Sequence, residues 1–192
     1  MCQTVSCCFA TLRQLSNICH LVSATVFQSL VAALVLCRLD YGNGTLVGLP
    51  AYLICRLQSV QNAAARLIFR LHRHDHITYV LVSLHWLRVP ERIVFKVAVQ
   101  TYRALQGDAP QYLRQFTSVA DTPSRQRLRS SSSDHMLVPA VRLSTVGRRA
   151  FPVAGARIWN DLPSDVTSSP SLFTFKRHLM HLFRLSYPDL TF

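Results

Sequence analysis

The densest cluster of side chains able to do chemistry is a histidine-rich stretch, HRHDH, which contains His72, His74, Asp75 and His76. Imidazole nitrogens and carboxylate oxygens at this density are ligands for zinc or copper. A structural zinc site usually also needs a paired set such as Cys-x-x-Cys, and the chain contains none. We therefore interpret the stretch as the basic end of a helix followed by a capping aspartate, and we expect no metal and no cofactor.

The acidic residues are too scattered for two-metal catalysis. Phosphoryl or nucleotidyl transfer by two cations needs clustered carboxylates, and no two of the nine acidic residues are adjacent. Asp161 and Asp165 lie four residues apart, but Pro163 between them prevents a shared helix face. A Gly-x-Ser-x-Gly elbow typical of hydrolases is also missing from the sequence. We expect no catalysis by this chain on its own.

Arginine is the residue type that sets this chain apart. The chain has 192 residues, with 21 Lys+Arg against 9 Asp+Glu, and its formal net charge is +12. Nineteen of those cations are arginines. The planar guanidinium matches phosphate oxygens and base edges, so an arginine-dominated surface favours nucleic-acid binding. The alternative is a solvated surface that only keeps the fold soluble.

Helices are expected to carry most of these arginines. A long helix opens at Pro50, as proline favours the first helical position. Its apolar residues are spaced 4, 3, 4, 3, 4 and form one stripe: Leu53, Leu57, Val60, Ala64, Leu67 and Leu71. Arg66, Arg70 and Arg73 gather on the opposite face. A later helix opens at Pro90 and ends at Gly107.

The remaining segments predict further helices and one small β element. We predict helices over Val5–Ile18, Ala24–Leu39, Ile77–His85, Ala154–Asn160 and Ser171–Leu185. Thr117–Asp134 is rich in Ser and Arg and is typical of a linker. Met136–Val138 and Val141–Val146 are predicted to pair as a short β-hairpin around Pro139.

The amino-terminal region combines an uncharged stretch with all of the cysteines. Gln14–Cys37 carries no charge, but polar residues interrupt it, so we expect a buried helix and no membrane partner. All six cysteines fall in the first 55 residues, and no signal-peptide cleavage pattern precedes them. This usage predicts reduced thiols in the nucleus or cytoplasm.

Several sequence strings, in order along the chain, resemble one family. They are RLDYGNGTLVGLP (Arg38–Pro50), RLQSVQNAAARLIF (Arg56–Phe69), DHIT (Asp75–Thr78), LHWLRVPERIVFK (Leu84–Lys96), GRRAFPVAGARIWNDLP (Gly147–Pro163) and SLFTFKRHL (Ser171–Leu179). The set is similar to the region downstream of the polymerase palm in jockey-like and related non-LTR (LINE) retrotransposon reverse transcriptases. The resemblance covers essentially the whole chain.

The resemblance implies a C-terminal fragment of an RNA-directed DNA polymerase that lacks the palm and the endonuclease. Both would precede Met1, which we then expect to be an internal or secondary start. The implied fold is mainly α: a helical thumb-like bundle at residues 1–116, a linker at 117–134, and a small α+β segment with the hairpin at 135–192. The implied partners are the missing palm and an RNA or RNA–DNA hybrid bound without sequence preference.

The residues expected to contact the template and primer are all cationic. Arg125, Arg127 and Arg129, at alternate positions of the linker, would suit an extended segment along a phosphate backbone. The full set is Arg56, Arg66, Arg70, Arg73, Arg92, Lys96, Arg103, Arg125, Arg127 and Arg129. The alternative function is that of a domesticated or relic helical protein acting through protein–protein contacts.

Overall fold

The chain is mainly helical in a computed structural model, which describes residues 2–119 and 135–185. These residues form two compact units. The first comprises residues 2–43 and 49–92, and the second comprises residues 44–48, 93–119 and 135–185. The division between the two units falls within α6, since residues from Ile93 onward group with the carboxy-terminal helices.

The first unit is built from helices that follow one another closely in sequence. They are α1 (Cys2–Ile18), α2 (Ala24–Val31), a π-helical turn (Ala32–Leu36), α3 (Cys37–Asp40), α4 (Ala51–Phe69), α5 (Thr78–Ser83) and the first turn of α6 (Val89–Leu105). A 3-10 turn at Asn43–Leu46 begins at the last residue of the 2–43 segment and continues in residues 44–46 of the second unit. The single helix predicted over Ala24–Leu39 is thus present as α2, the π turn and α3 in succession.

The π turn follows from the spacing of the buried side chains. Phe27, Val31, Val35 and Leu39 are all buried and lie four residues apart. In a regular α-helix, steps of four residues drift by about 40° each around the axis. A wider turn absorbs that drift, so the four side chains stay on the core side of one continuous helix.

Helix α4 packs its apolar face against α1 and ends earlier than the sequence predicts. Leu57, Val60 and Ala64 are buried. The helix ends at Phe69, because Arg70 adopts the left-handed conformation (φ 53°, ψ 39°). The expectation that the helix reaches Arg73 is therefore wrong. No glycine occupies this position to signal the end, although glycine is the usual residue there.

Two glutamines of α4 hold the segment that leads into α6. Gln61 is 1% exposed, and its Nε2 donates to the carbonyl of Leu87 at 2.8 Å. The Val89 N–H donates to Oε1 of Gln58 at 2.8 Å. The second bond satisfies the first N–H of α6, which has no intrahelical partner, and the first bond satisfies a carbonyl just before the helix. Polar residues thus fix the start of α6 relative to α4.

The second unit encloses an aromatic core. Its helices are the remainder of α6, a 3-10 turn (Gln111–Leu113), α7 (Ser144–Gly147), α8 (Phe151–Asn160), α9 (Ser164–Thr167) and α10 (Leu172–Leu185). Phe175 stacks between Tyr102 and Trp159, with ring centroids 4.6 and 5.9 Å apart. The Tyr102 hydroxyl donates to the Ser169 carbonyl at 3.0 Å. Ring stacking and burial together tie α6, α8 and α10 into one core.

Gly155 allows α8 to approach α6 closely. A Cβ at this position would lie 2.6 Å from Oγ1 of Thr101 and 2.9 Å from Cζ of Phe116. Both distances are shorter than van der Waals contact, so a larger residue would have to displace the side chains of Thr101 and Phe116. Gly155 is therefore required for this packing.

The predicted β-hairpin is wrong. Met136 pairs instead with Ser118 in an isolated antiparallel bridge, and no strand occurs in the described residues. The Met136 N–H donates to Oδ1 of Asn160 at 2.8 Å, and Nδ2 of Asn160 donates to the Met136 carbonyl at 2.9 Å. The predicted second strand, Val141–Val146, overlaps the helical turn α7 at Ser144–Gly147. Met136 has no backbone groups left for the predicted partner strand.

Candidate nucleic-acid interface

A groove of about 600 Å³ lies in the first unit, between the carboxy-terminal ends of α1 and α4. Arg66, Arg70 and Arg73 line it. Arg66 belongs to the last turn of α4, Arg70 caps that helix, and Arg73 follows it. The region after α1 contributes the other wall, including Cys19 and His20. The structure thus brings together three of the arginines that the sequence predicts to act jointly.

Arg70 joins the two walls of the groove. Its Nη2 donates to the carbonyl of Cys19 at 3.2 Å. The left-handed backbone at Arg70 turns the chain sharply after α4, and the N–H of Leu71 donates back to the carbonyl of Arg66 at 3.0 Å. These two bonds fix the Arg70 guanidinium at the groove while satisfying exposed carbonyls at a helix end.

Arg66 brings an unsatisfied donor to the groove. Its Nε is buried and has no hydrogen-bond partner among the described residues. Leaving a buried donor unpaired costs about 1–3 kcal/mol. Because that atom is buried, a phosphate in the groove would bond the other N–H groups of the guanidinium, in charge-assisted bonds that are often bidentate. Arg66 is therefore suited to a ligand that carries anionic oxygens.

Among the described residues, no carboxylate lies within ion-pair distance of the groove arginines, and the nearest acid in sequence, Asp75, bonds the backbone of His72. Among the described residues, neither Arg66, Arg70 nor Arg73 forms an ion pair. The sequence of this unit, over residues 2–43 and 49–92, holds eight arginines and three acidic residues, a net charge of +5. Two of those acids, Asp40 and Glu91, pair with other arginines. The groove is therefore a local concentration of positive charge that would attract a polyanion.

Half of the remaining residues that line the groove are aliphatic. Ala63, Leu67 and Leu71 contribute to the walls, and none of the Phe, Tyr or Trp residues in the described ranges lines the groove. Proteins that hold single-stranded bases usually stack them on aromatic side chains. Contacts to phosphate and sugar carry no sequence information. This lining is chemically suited to a sugar–phosphate backbone.

The other predicted contact residues have different surroundings. Arg56 is exposed on α4, and its Nη1 donates to Sγ of Cys2 at 3.3 Å. Lys96 and Arg103 are exposed on the part of α6 that belongs to the second unit. Arg125, Arg127 and Arg129 lie outside the described residues.

Arg92 is part of an internal ion pair. Its Nε and Nη2 donate to the two carboxylate oxygens of Asp40 on α3. The side chains are 20% and 21% exposed. This bidentate pair joins α3 to the start of α6, so the Arg92 fork is occupied by a carboxylate of the same chain. Arg92 is suited to stabilising the first unit.

Four aromatic residues that lie in apolar runs of the sequence are buried, whereas Tyr41, Tyr52, Tyr79, Tyr112 and Phe173 are exposed. Of the buried four, Trp86 is 9% exposed, and the other three are buried more deeply. The set is Trp86, Tyr102, Trp159 and Phe175. These four residues pack in cores, and none of them offers a ring face to a nucleotide.

The histidine-rich stretch forms a turn. Oδ2 of Asp75 accepts the backbone N–H of His72 at 2.7 Å, which closes the loop after α4. Asp75 does not cap α5, contrary to the expectation. In the part of the chain that the structure describes, no group of three His, Cys, Asp or Glu side chains is arranged to hold a metal ion. None of the helices described is both long and apolar enough to cross a bilayer.

The sequence reasoning missed the α1 side of the groove. Ser16, Cys19 and His20 line it, but they lie far from Arg66 along the chain. Their residue types carry no binding signature, and only the packing of α1 on α4 brings them near the arginines. Comparison with known proteins adds no further assignment: no protein-family model, no curated protein and no solved structure matches this chain.

Proposed function

We propose that this chain is the C-terminal part of a non-LTR retrotransposon reverse transcriptase, and that it binds the backbone of RNA or an RNA–DNA hybrid without polymerising DNA itself. The ancestry is supported by the ordered motifs between Arg38 and Leu179. The binding role is supported by one observation above all, the convergence of Arg66, Arg70 and Arg73 in a groove where they pair with no described carboxylate.

Catalysis would require the palm of the parent polymerase as a partner. The chain has no adjacent pair of acidic residues to hold two cations. In this proposal the chain positions template and primer, and the palm supplies the metal-binding carboxylates. The nucleus or the cytoplasm is the compartment in which this would occur.

Salt dependence tests the binding role. Neutralising three phosphates predicts a slope of log affinity against log salt near −2.7 on duplex DNA, which is roughly a 40-fold loss between about 50 and 200 mM salt. Fluorescence anisotropy with labelled RNA, DNA and hybrid of several sequences would measure it. Equal affinity across sequences is expected, and a flat salt response would overturn the proposal.

A charge-reversal variant locates the site. R66E/R70E/R73E should lower affinity by about 100-fold or more and remove most of the salt slope. The matched control is R157E/K176E/R177E, which makes the same charge change on exposed residues of the second unit. A much smaller loss is expected for the control. Equal losses in both variants would mean that the groove is not the binding site.

The alternative function, action through protein–protein contacts, is distinguished by size-exclusion chromatography with and without nuclease. A nucleic-acid-binding chain purified from cells should lose ultraviolet absorbance at 260 nm and elute later after nuclease treatment. A chain that works through protein contacts should keep its elution volume. The groove variant should behave like the nuclease-treated protein.

A further inference from the structure

Helices α1 and α4 lie side by side and run in the same direction. Near the amino-terminal ends of the two helices, Nη1 of Arg56 donates to Sγ of Cys2 at 3.3 Å. At their carboxy-terminal ends, Nη2 of Arg70 donates to the carbonyl of Cys19 at 3.2 Å. Arg56 and Arg70 are about 21 Å apart along the axis of α4. The cationic groove is therefore one end of a longer seam between two parallel helices.

The face of α1 that borders this seam carries an arginine outside the predicted set of contact residues. Cys2 meets Arg56 on that face, and Ser16 lines the groove. Arg13 lies on the same face, since the positions of Cys2, Arg13 and Ser16 fall within an arc of about 60° around the helix axis. Arg13 is exposed and forms no ion pair within residues 2–119 and 135–185.

The residues of α4 that border the seam form one stripe. Six positions, from the first turn of the helix to its cap, fall within an arc of about 80° around the axis. They are Tyr52, Arg56, Ser59, Ala63, Arg66 and Arg70. The last three line the groove, so the stripe extends the groove lining toward the start of α4. We call these six residues, together with Arg13 and Ser16 of α1, the α1–α4 seam.

The α1–α4 seam is cationic along its length. Neither α1 nor α4 contains an Asp or Glu in its sequence. The bond from Arg56 goes to a thiol, which is a weak acceptor and leaves the guanidinium charge without a carboxylate. Arg13 and Arg56 thus add two guanidinium groups to the three of the groove. A polyanion is attracted along the whole seam, beyond the groove itself.

Tyr52 places an aromatic ring at the end of the seam that lies farthest from the groove. Its side chain is 65% exposed in the first turn of α4, one turn before Arg56. Proteins that bind single strands combine a positively charged track along the backbone with exposed aromatic rings on which bases stack. A duplex does not offer its base faces to such a ring. The combination of five arginines and one exposed ring therefore fits a single strand.

We propose that the α1–α4 seam binds a single strand of nucleic acid, with its phosphates along the arginines and an unpaired base stacked on Tyr52. This inference rests on the proposed function and names the form of nucleic acid that the site takes. The distance from Tyr52 to Arg70 along α4 is about 27 Å. At about 3.4 Å per phosphate of one strand, about eight nucleotides span the seam.

The salt dependence of single-strand binding tests the two added arginines. Five phosphate contacts predict a slope of log affinity against log salt of about −3.5 on a single strand, whereas three contacts predict about −2.1. R13Q/R56Q should change the slope from the first value to the second, measured by anisotropy with a labelled 12-nucleotide RNA. R157Q/R177Q removes the same charge from exposed residues of the second unit and should keep the wild-type slope. Equal slopes in R13Q/R56Q and the wild type would overturn the extended seam.

Substitution of Tyr52 tests the stacked base. Tyr52→Ala should weaken binding of the 12-nucleotide RNA by about 5-fold or more, and Tyr52→Phe, which keeps the ring, should not. Y52A should bind a duplex, and a 12-nucleotide abasic strand, as well as the wild type does. Tyr79→Ala is the matched control, because Tyr79 is 62% exposed on α5, outside the seam. An equal loss in Y79A, or a loss in Y52A that persists on the abasic strand, would overturn the stacking.

The groove variant R66E/R70E/R73E separates failure of this inference from failure of the proposed function. If it loses binding while R13Q/R56Q and Y52A bind the 12-nucleotide RNA as the wild type does, the groove binds nucleic acid and the seam beyond it does not. If the groove variant binds normally, both proposals are wrong. Loss of affinity in all three variants, with the control variants unchanged, is the expected result.

Discussion

The groove arginines and Arg92 have the same side chain and opposite surroundings. Arg66, Arg70 and Arg73 line a groove and pair with no described carboxylate. The Arg92 guanidinium donates to both carboxylate oxygens of Asp40 in a partly buried ion pair. Sequence reasoning assigned all four to nucleic-acid contact. The structure separates them by what each guanidinium already binds.

This difference shows that the number of arginines in a sequence overestimates how many of them are available to bind nucleic acid. A guanidinium that is already held by a carboxylate must lose that bond before it can bind a phosphate. A guanidinium held by a carbonyl, as Arg70 is by Cys19, keeps its charge unneutralised. The binding surface is therefore the subset of arginines without an acidic partner, and a sequence alone does not list the partners.

Removing Arg92 gives the largest stability effect expected from this comparison. Arg92→Ala leaves Asp40 partly buried and without that partner, which should cost about 2 kcal/mol, between the values for exposed and fully buried pairs. Urea unfolding followed by circular dichroism measures it. R92A and R66A each lose one positive charge, but nucleic-acid affinity should fall far less in R92A than in R66A.

A double-mutant cycle sharpens this test. Asp40→Asn should also destabilise, and D40N/R92A should be more stable than the sum of the two single losses predicts, because the pair is lost only once. Additive losses would show that Asp40 and Arg92 contribute separately. If R92A lost as much nucleic-acid affinity as R66A, Arg92 would be a nucleic-acid contact residue.

The helical architecture was predictable because it follows from local patterns. The spacing of apolar residues in α1, α4 and α10 marks their buried faces, and Pro90 and Gly107 mark the ends of α6 closely. The failures lie where side chains compete with backbone patterns. The amide of Asn160, 24 residues from Met136, occupies the groups that a hairpin would have paired. No local pattern contains that information.

The candidate site was predictable only on one side. The position of Arg66 on the face of α4 opposite the apolar stripe is a local property, and the sequence predicts it. The opposing wall with Cys19 and His20, and the carboxylate on Arg92, both depend on contacts between residues about 50 positions apart. The left-handed turn at Arg70 was missed because arginine rarely adopts it.

Substitution of Arg70 separates its backbone conformation from its charge. Arg70→Gly and Arg70→Ala both remove the guanidinium and its bond to Cys19. Glycine adopts positive φ without the Cβ penalty, so R70G should be more stable than R70A by about 1 kcal/mol. Both should reduce the salt slope by about 1, as expected for the loss of one phosphate contact.

Urea unfolding and anisotropy on the same two proteins provide the check. Equal stability of R70G and R70A would contradict the strained turn at the end of α4. A salt slope that stays at the wild-type value in both would contradict a phosphate contact by Arg70, whatever the stability result. The two properties of one residue are thus tested apart.

The smallest expected change in stability concerns Arg38, whose guanidinium lies beside the cysteine thiols of α1. Nη1 of Arg38 donates to Sγ of Cys7 at 2.8 Å and to Oγ1 of Thr11 at 3.2 Å. The adjacent Cys8 is fully buried. Burial raises the pKa of the Cys8 thiol above its ordinary value of 9.0, and the positive charge of Arg38 opposes that rise in part.

This shift predicts how stability depends on pH. A raised pKa in the folded state means that the neutral thiol contributes its full stability below about pH 9 and loses it as pH rises through the folded-state pKa. Cys8→Ala should therefore lose less stability than the wild type between neutral pH and about pH 10. The quantity to compare between C8A and the wild type is the change in unfolding free energy with pH, since the substitution itself costs about 1 kcal/mol at neutral pH.

Arg38→Gln is the variant that decides whether a neighbouring guanidinium acts on this thiol. Without the cation, the pKa of Cys8 should rise further, so the alkaline loss of stability should be larger than in the wild type. In C8A the same substitution should leave the pH dependence nearly unchanged, because the titrating group is gone. An equal change in the pH dependence of stability in the wild type and in C8A would show that Arg38 does not act on the Cys8 thiol through its charge.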